Sequence, residues 1–156
     1  MPATLNPKVF WVLIGTNDFG RTWCSPEAVL LGILRVVEEI RKQNPGTVIV
    51  LNSILPRSWH KNGIVTKGKR LKKGKYLPEL WTASQDINQH LSAYCESHEN
   101  LVYFDANDVF FTEETKHGEK PMIDKNLMPD LLHPSKVGYK LWGDRIVTEL
   151  DKLIKP

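Results

Sequence analysis

Six consecutive apolar residues, Val9-Phe10-Trp11-Val12-Leu13-Ile14, give way abruptly to polar Gly15-Thr16-Asn17-Asp18, the pattern of a short buried strand ending in a loop. Ser25-Pro26-Glu27 then supplies an N-cap, a proline for the first helical position and an acid for the positive end of a helix dipole. Val29, Leu30, Ile33, Leu34, Val37 and Ile40 repeat with helical periodicity until Asn44-Pro45-Gly46, which predicts a helix with one apolar face. The β-branched and apolar segment Thr47 to Ile54 reads as a second buried strand, stopped at Pro56.

Apolar character then fades from Arg57 to Tyr76, a segment read as a mobile, basic excursion. From about Pro78 to His98 a second long helix is predicted, with Leu80, Ala83, Ile87, Leu91 and Tyr94 on one side, followed by a strand at Leu101-Val102-Tyr103-Phe104. Asp105 to Pro134 has no period, and Ser135 caps a last helix carrying Val137, Leu141, Trp142, Val147, Leu150 and Ile154. This alternation of strand and helix calls for an α/β domain with a parallel sheet, in which right-handed crossovers bury strands of this kind. Three strands are visible, and no repeat or linker divides the 156 residues, so residues 1–156 read as one domain.

Composition changes this picture little: 41% apolar and 25% charged residues are ordinary for a globular domain. No apolar run is long enough to span a bilayer and no basic stretch precedes Val9 as in a signal peptide, so the chain as it stands reads as soluble and cytoplasmic. Charge is more telling. Lys61, Lys67, Lys69, Arg70, Lys72, Lys73 and Lys75 are seven of the 21 Lys and Arg residues; the other 14 face 18 acids, a balance of −4. Basic character therefore belongs to one segment, which argues against a nucleic-acid binder using its whole surface. That segment fits either a solvated loop or a site for phosphate groups. Cys24 and Cys95 are too few and too far apart for a disulfide framework or a zinc motif, and His60, His90, His98 and His117 lack metal-ligand spacing. Neither a metal nor a cofactor is called for.

Two short polar motifs carry the candidate chemistry. Asn17 would stand at the carboxyl end of the first strand, where open α/β sheets bind their ligands, a suitable place for an oxyanion donor. Asp130-Leu131-Leu132-His133 places a carboxylate close enough to an imidazole to orient it and to stabilise its protonated form, the arrangement of a general base and its acid. Taken singly, Asn17-Asp18 fits a turn equally well, and His133-Pro134-Ser135 fits a plain helix entrance.

In their order and spacing, the first strand with Gly15-Thr16-Asn17-Asp18, the helix after it, the Val48 to Arg57 segment ending Leu55-Pro56-Arg57, and Asp130-Leu131-Leu132-His133 before the last helix resemble the SGNH hydrolases. These are also called GDSL-type esterases, and the likeness is strongest to the catalytic subunits of platelet-activating-factor acetylhydrolase. The resemblance implies a three-layer αβα, flavodoxin-like fold and hydrolysis of an acyl or acetyl ester through an acyl-enzyme. It makes His133 the general base, Asp130 its orienting acid and Asn17 an oxyanion donor, with Gly15 allowing close approach of the backbone.

The family's nucleophilic serine lies in a Gly-Asp-Ser block after the first strand, and no such block occurs here. The only Gly-Asp pair, Gly143-Asp144, is followed by Arg145 inside the last helical pattern. No serine of this chain is assigned as nucleophile. Val9 to Ile14 corresponds to the third of the family's five strands, ordered 2-1-3-4-5, so the chain reads as the carboxyl-terminal part of such a hydrolase without its first two strands. An exposed strand edge is then expected to favour a homodimer, aggregation or a complementing amino-terminal polypeptide. Besides a serine esterase of this class, two other readings stay open: a pseudoenzyme serving as a binding or assembly module, and an Asp-His pair that activates water directly.

Overall fold

A computed structural model of the protein describes residues 7–21, 24–70, 76–77 and 79–154, with residues 19–21, 70, 76 and 77 described by their backbone alone. In chain order the elements are β1 (Val9–Val12), α1 (Thr16–Arg21), α2 (Pro26–Gln43), β2 (Val48–Asn52), β3 (Lys69–Arg70), β4 (Tyr76–Leu77), α3 (Trp81–Glu96), β5 (Leu101–Phe104), a 3-10 turn (Asn107–Phe110) and α4 (Lys136–Ile154). The described residues group into two compact units, 7–54 with 86–104 and 55–85 with 105–154.

The first unit is built on a parallel sheet of order β1-β2-β5. The register pairs Val9 with Val48 and Val12 with Leu51 on one side of β2, and Ile49 with Leu101 and Asn52 with Phe104 on the other. Strand β2 is central and all but its first residue is buried, so its Val-Ile-Val-Leu run serves both sheet faces. β1 is shorter than its six-residue apolar run and, among the described residues, forms an edge, with β2 as its neighbour on one side. Helix α2 starts as its sequence dictates: Ser25 Oγ accepts a 3.3 Å hydrogen bond from Ala28 N, Pro26 opens the helix, and the Asn44 N–H returns to Ile40 O at 2.8 Å. Val29, Ile33 and Val37 form its buried stripe, whereas Leu31 and Val36 stand exposed.

Helix α3 buries Ile87, Asn88, Leu91 and Cys95 in this unit. The stripe has rotated from the predicted one, because Tyr94 instead donates its hydroxyl to Glu38 on α2, which also accepts from Arg41 at 3.0 Å. Burial pushes the Cys95 thiol up to about 11, which makes it an inert filler of the core. Polar anchors tie the sheet's ends. The Trp11 indole N–H donates to Asn52 Oδ1 at 3.2 Å while Trp11 meets Phe104 edge-on at 4.8 Å. Buried Asn88 clamps the end of the β2 segment, accepting from Ile54 N at 2.8 Å and donating to Ile54 O at 3.2 Å.

The second unit packs Val65, Leu80, Phe110, Phe111, Ile123 and Met128 as its core. Much of what lacked a period in the sequence is held here by single bridges, Ile64 with Met122 and Phe111 with Ile123, both antiparallel. The basic segment also carries structure of its own, the two-residue ladder of β3 with β4. Helix α4 enters through Ser135, whose Oγ accepts from Gly138 N at 3.1 Å and donates to Asn126 O at 2.7 Å. Its apolar residues divide: Trp142 meets Phe110 edge-on at 6.2 Å, but Val137, Leu141 and Val147 are exposed. Arg145 holds Asp108 through both carboxylate oxygens at 2.6 and 2.8 Å, which lowers that carboxyl below its usual range.

Two substitutions test these anchors. Asn88→Ala leaves a buried N–H and a buried C=O unpaired, and is expected to cost roughly 2–4 kcal/mol in urea unfolding. A Cβ on Gly138 would lie 2.3 Å from Leu127 O, so Gly138→Ala is expected to cost about 1–3 kcal/mol and to lower the melting temperature. An unchanged unfolding midpoint in either variant would contradict the contact described.

Candidate active site

Asp130 and His133 meet, as their spacing predicted. The ring Nδ1 of His133 lies 2.6 Å from Asp130 Oδ2, while Asp130 Oδ1 accepts from His133 N at 2.7 Å and from Leu132 N at 3.0 Å. One carboxylate thus caps a turn with one oxygen and orients an imidazole with the other. The His133 ring N–H first, and then the two backbone amides, hold the Asp130 carboxyl down at about 2. It is therefore charged throughout the neutral range. With Nδ1 turned to the carboxylate, Nε2 is left as the basic nitrogen, and the side chain is 70% exposed.

The turn that achieves this is strained. Leu131 adopts φ 64°, a left-handed conformation that costs a branched residue about 1–2 kcal/mol. Its buried side chain and three hydrogen bonds hold it there: Leu131 N to Met128 O at 3.0 Å, Ser58 N to Leu131 O at 3.1 Å, and the Asp130 cap. Downstream, Ser135 N donates to Leu127 O at 2.7 Å, closing the loop against the start of α4. Gly138 is buried on the first turn of α4 because Leu127 O leaves no space for a side chain.

Gly15 and Asn17 belong to the first unit. Gly15 is buried with φ +107°, and a Cβ there would meet Val29 at 3.0 Å and Ile33 at 3.2 Å, so glycine is what lets β1 turn tightly over α2. Asn17 lies not in a bare loop but in the first turn of α1, with its side chain exposed. A cleft of about 250 Å³ opens beside Gly15, lined by Ile14, Asp18, Cys24, Val29 and Val36. A larger one, about 430 Å³ and lined by Arg41, Thr47, Glu99 and Asn100, sits at the amino ends of β2 and β5, the wrong end of the strands for Asn17.

Several contributors were not apparent in the sequence. Ser58 bonds to the Asp130–His133 turn through its backbone, which no side-chain pattern reveals. Arg57 is buried and its guanidinium lies 4.7 Å from the Trp59 ring, so burial lowers its pKa from the ordinary value. Asn107 is 5% exposed, and neither its Oδ1 nor its Nδ2 has a hydrogen-bond partner among the described residues, although buried amides are normally paired. Among the described residues no three His, Cys, Asp or Glu side chains form a metal-binding group, and no helix is long and apolar enough to cross a membrane.

Known proteins resemble this chain in sequence or in fold. The chain is 27% identical over 135 residues to the platelet-activating factor acetylhydrolase IB subunit alpha1 of Bos taurus, covering 86% of this chain and 47% of that protein. It is 26% identical to the Homo sapiens protein of the same name over 135 residues, 86% of this chain and 48% of that one. The chain thus spans about half the length of these relatives. Among solved structures, a carbohydrate esterase family 3 protein from Talaromyces cellulolyticus superposes with a TM-score of 0.63 at 15% identity, over 95% of this chain and 59% of that chain, a likeness of fold. The model of the GDSL-like lipase/acylhydrolase family matches residues 1–141, and the chain belongs to that family.

Proposed function

We propose that this chain supplies the general base, its orienting acid and one oxyanion donor of a serine ester hydrolase, and that the nucleophile comes from a Gly-Asp-Ser block outside these 156 residues. The observation that carries the reading is the 2.6 Å contact of His133 Nδ1 with Asp130 Oδ2, which leaves Nε2 free to take a proton. In the reaction, Nε2 of His133 removes the proton of the serine hydroxyl as its oxygen attacks the ester carbonyl. The imidazolium so formed is stabilised by Asp130 and returns the proton to the departing alcohol. Water, activated by the same nitrogen, then hydrolyses the acyl-enzyme. The Asn17 side-chain amide is exposed at the carboxyl end of β1, and it serves as a donor to the carbonyl oxygen as negative charge develops on it.

The catalytic test is p-nitrophenyl acetate turnover, with and without an amino-terminal polypeptide of a family member carrying the Gly-Asp-Ser block. The chain alone is expected to give no turnover and no fluorophosphonate label, and the mixture to give both. In the mixture, Asn17→Ala is expected to lower kcat about a hundredfold, as loss of one oxyanion donor does, and His133→Ala by more. Turnover by the chain alone that vanishes in His133→Ala would place a nucleophile within it. A well-folded mixture with neither turnover nor label would favour the pseudoenzyme reading.

The Asp130–His133 pair has a test that needs no activity. A carboxyl lowered in the folded state makes its contribution above its ordinary titration range and loses it as pH falls through the folded value. The carbon resonance of the Asp130 carboxyl is therefore expected to stay constant from neutral pH down through the ordinary carboxylate range and to move only near pH 2. Titration at the ordinary carboxylate value would mean that the pair does not form.

A further inference from the structure

We infer that the part of the second unit bearing Lys61, Lys67 and Lys69 is a docking surface for an anionic lipid bilayer. All three side chains are exposed, and none forms an ion pair among the described residues. Five other cations of the chain are paired. Arg41, Lys116, Lys140, Arg145 and Lys152 each meet a carboxylate within 3.0 Å. The sequence adds Arg70, Lys72, Lys73 and Lys75, with no acid between Arg57 and Pro78.

The three lysines stand on a built scaffold. His60 Nε2 lies 2.6 Å from Gly68 O, joining the ends of the segment that carries Lys61 and Lys67. Ser58 Oγ donates to Ile64 O at 2.6 Å, Val65 is buried, and Ile123 N donates to Gly63 O at 2.9 Å. At the root, half-buried Trp59 adds an amphipathic ring of the kind that settles at a headgroup layer.

A polynucleotide fits this surface less well. Single strands are held by aromatic faces on which bases stack, whereas the Trp59 ring already has the Arg57 guanidinium 4.7 Å from its centre. An extended polyanion would also meet the remainder of the chain, whose balance without the seven cations is 14 against 18, or −4. Ser58 N at the root of that segment is bonded to Leu131 O between Asp130 and His133, so docking there brings the catalytic turn to the membrane face. Docking does not depend on hydrolysis, and the two readings fail separately.

The experiment is co-sedimentation of the full chain with vesicles of phosphatidylcholine, alone or with about one third phosphatidylserine. Binding is expected only to the anionic vesicles and is expected to fall with added salt. Each cation at such a surface is worth about fivefold in partitioning, so Lys61→Gln, Lys67→Gln and Lys69→Gln together should weaken binding about a hundredfold. Lys140→Gln with Lys152→Gln should leave it unchanged, and circular dichroism of both variants checks their folding. Equal binding to neutral vesicles, no binding to anionic ones, or undiminished binding by the folded triple variant would overturn the proposal. So would release by millimolar inorganic phosphate, which would indicate a free-anion site, or binding to single-stranded RNA in preference to vesicles.

Discussion

The turn from Asp130 to His133 depends on how one carboxylate distributes its lone pairs. Asp130 accepts from two backbone amides and one ring nitrogen, so the force that shapes the turn also aims the imidazole. Neither function can be altered alone. An amide in place of the carboxylate would keep one acceptor oxygen but turn a donor toward one of the groups it now receives. The strained backbone at Leu131 persists because this cap, Ser58 N and the buried Leu131 side chain together outweigh it.

A second constraint is the division of labour among charges. Carboxylates in this chain are mostly engaged locally: Glu38 joins α2 to α3 through Tyr94, Asp108 joins the 3-10 turn to α4 through Arg145, and Asp130 closes its own turn. Positive charge, by contrast, collects in a segment that contains no acidic residue. Internal charges were placed to fix geometry, leaving the unbalanced ones to act on whatever approaches from solution.

Legibility followed the range of the interactions. The helix cap at Ser25, the central strand and the Asp130–His133 pair depend on near neighbours or on strong periodicity, and each could be read from the chain. The face of α3 could not, because the choice between Tyr94 and Cys95 as its inward residue was made by Glu38 on another helix. Nor could the order within 105–134, which comes from single bridges such as Phe111 with Ile123 and has no period to detect. The strand-end position of Asn17 follows from the break at Gly15, but the helix that the chain enters one residue later carries no signal in so short a polar motif. In α4, apolar periodicity overstated burial, since close approach at Gly138 and the Trp142 contact make the packing while Val137 and Leu141 remain in solvent.

Asp130 and His133, proposed as acid and base, stand only three residues apart, and that nearness has a kinetic meaning. Closing so short a loop belongs to events of roughly 10–100 ns, far faster than the assembly of a parallel sheet, whose contacts join distant parts of a chain. If breathing motions part Asp130 from His133, the pair can re-form many times within a single slow catalytic cycle. The working orientation of the imidazole is then an equilibrium property of a small turn, renewed continually, and does not have to survive intact from the moment the protein folded.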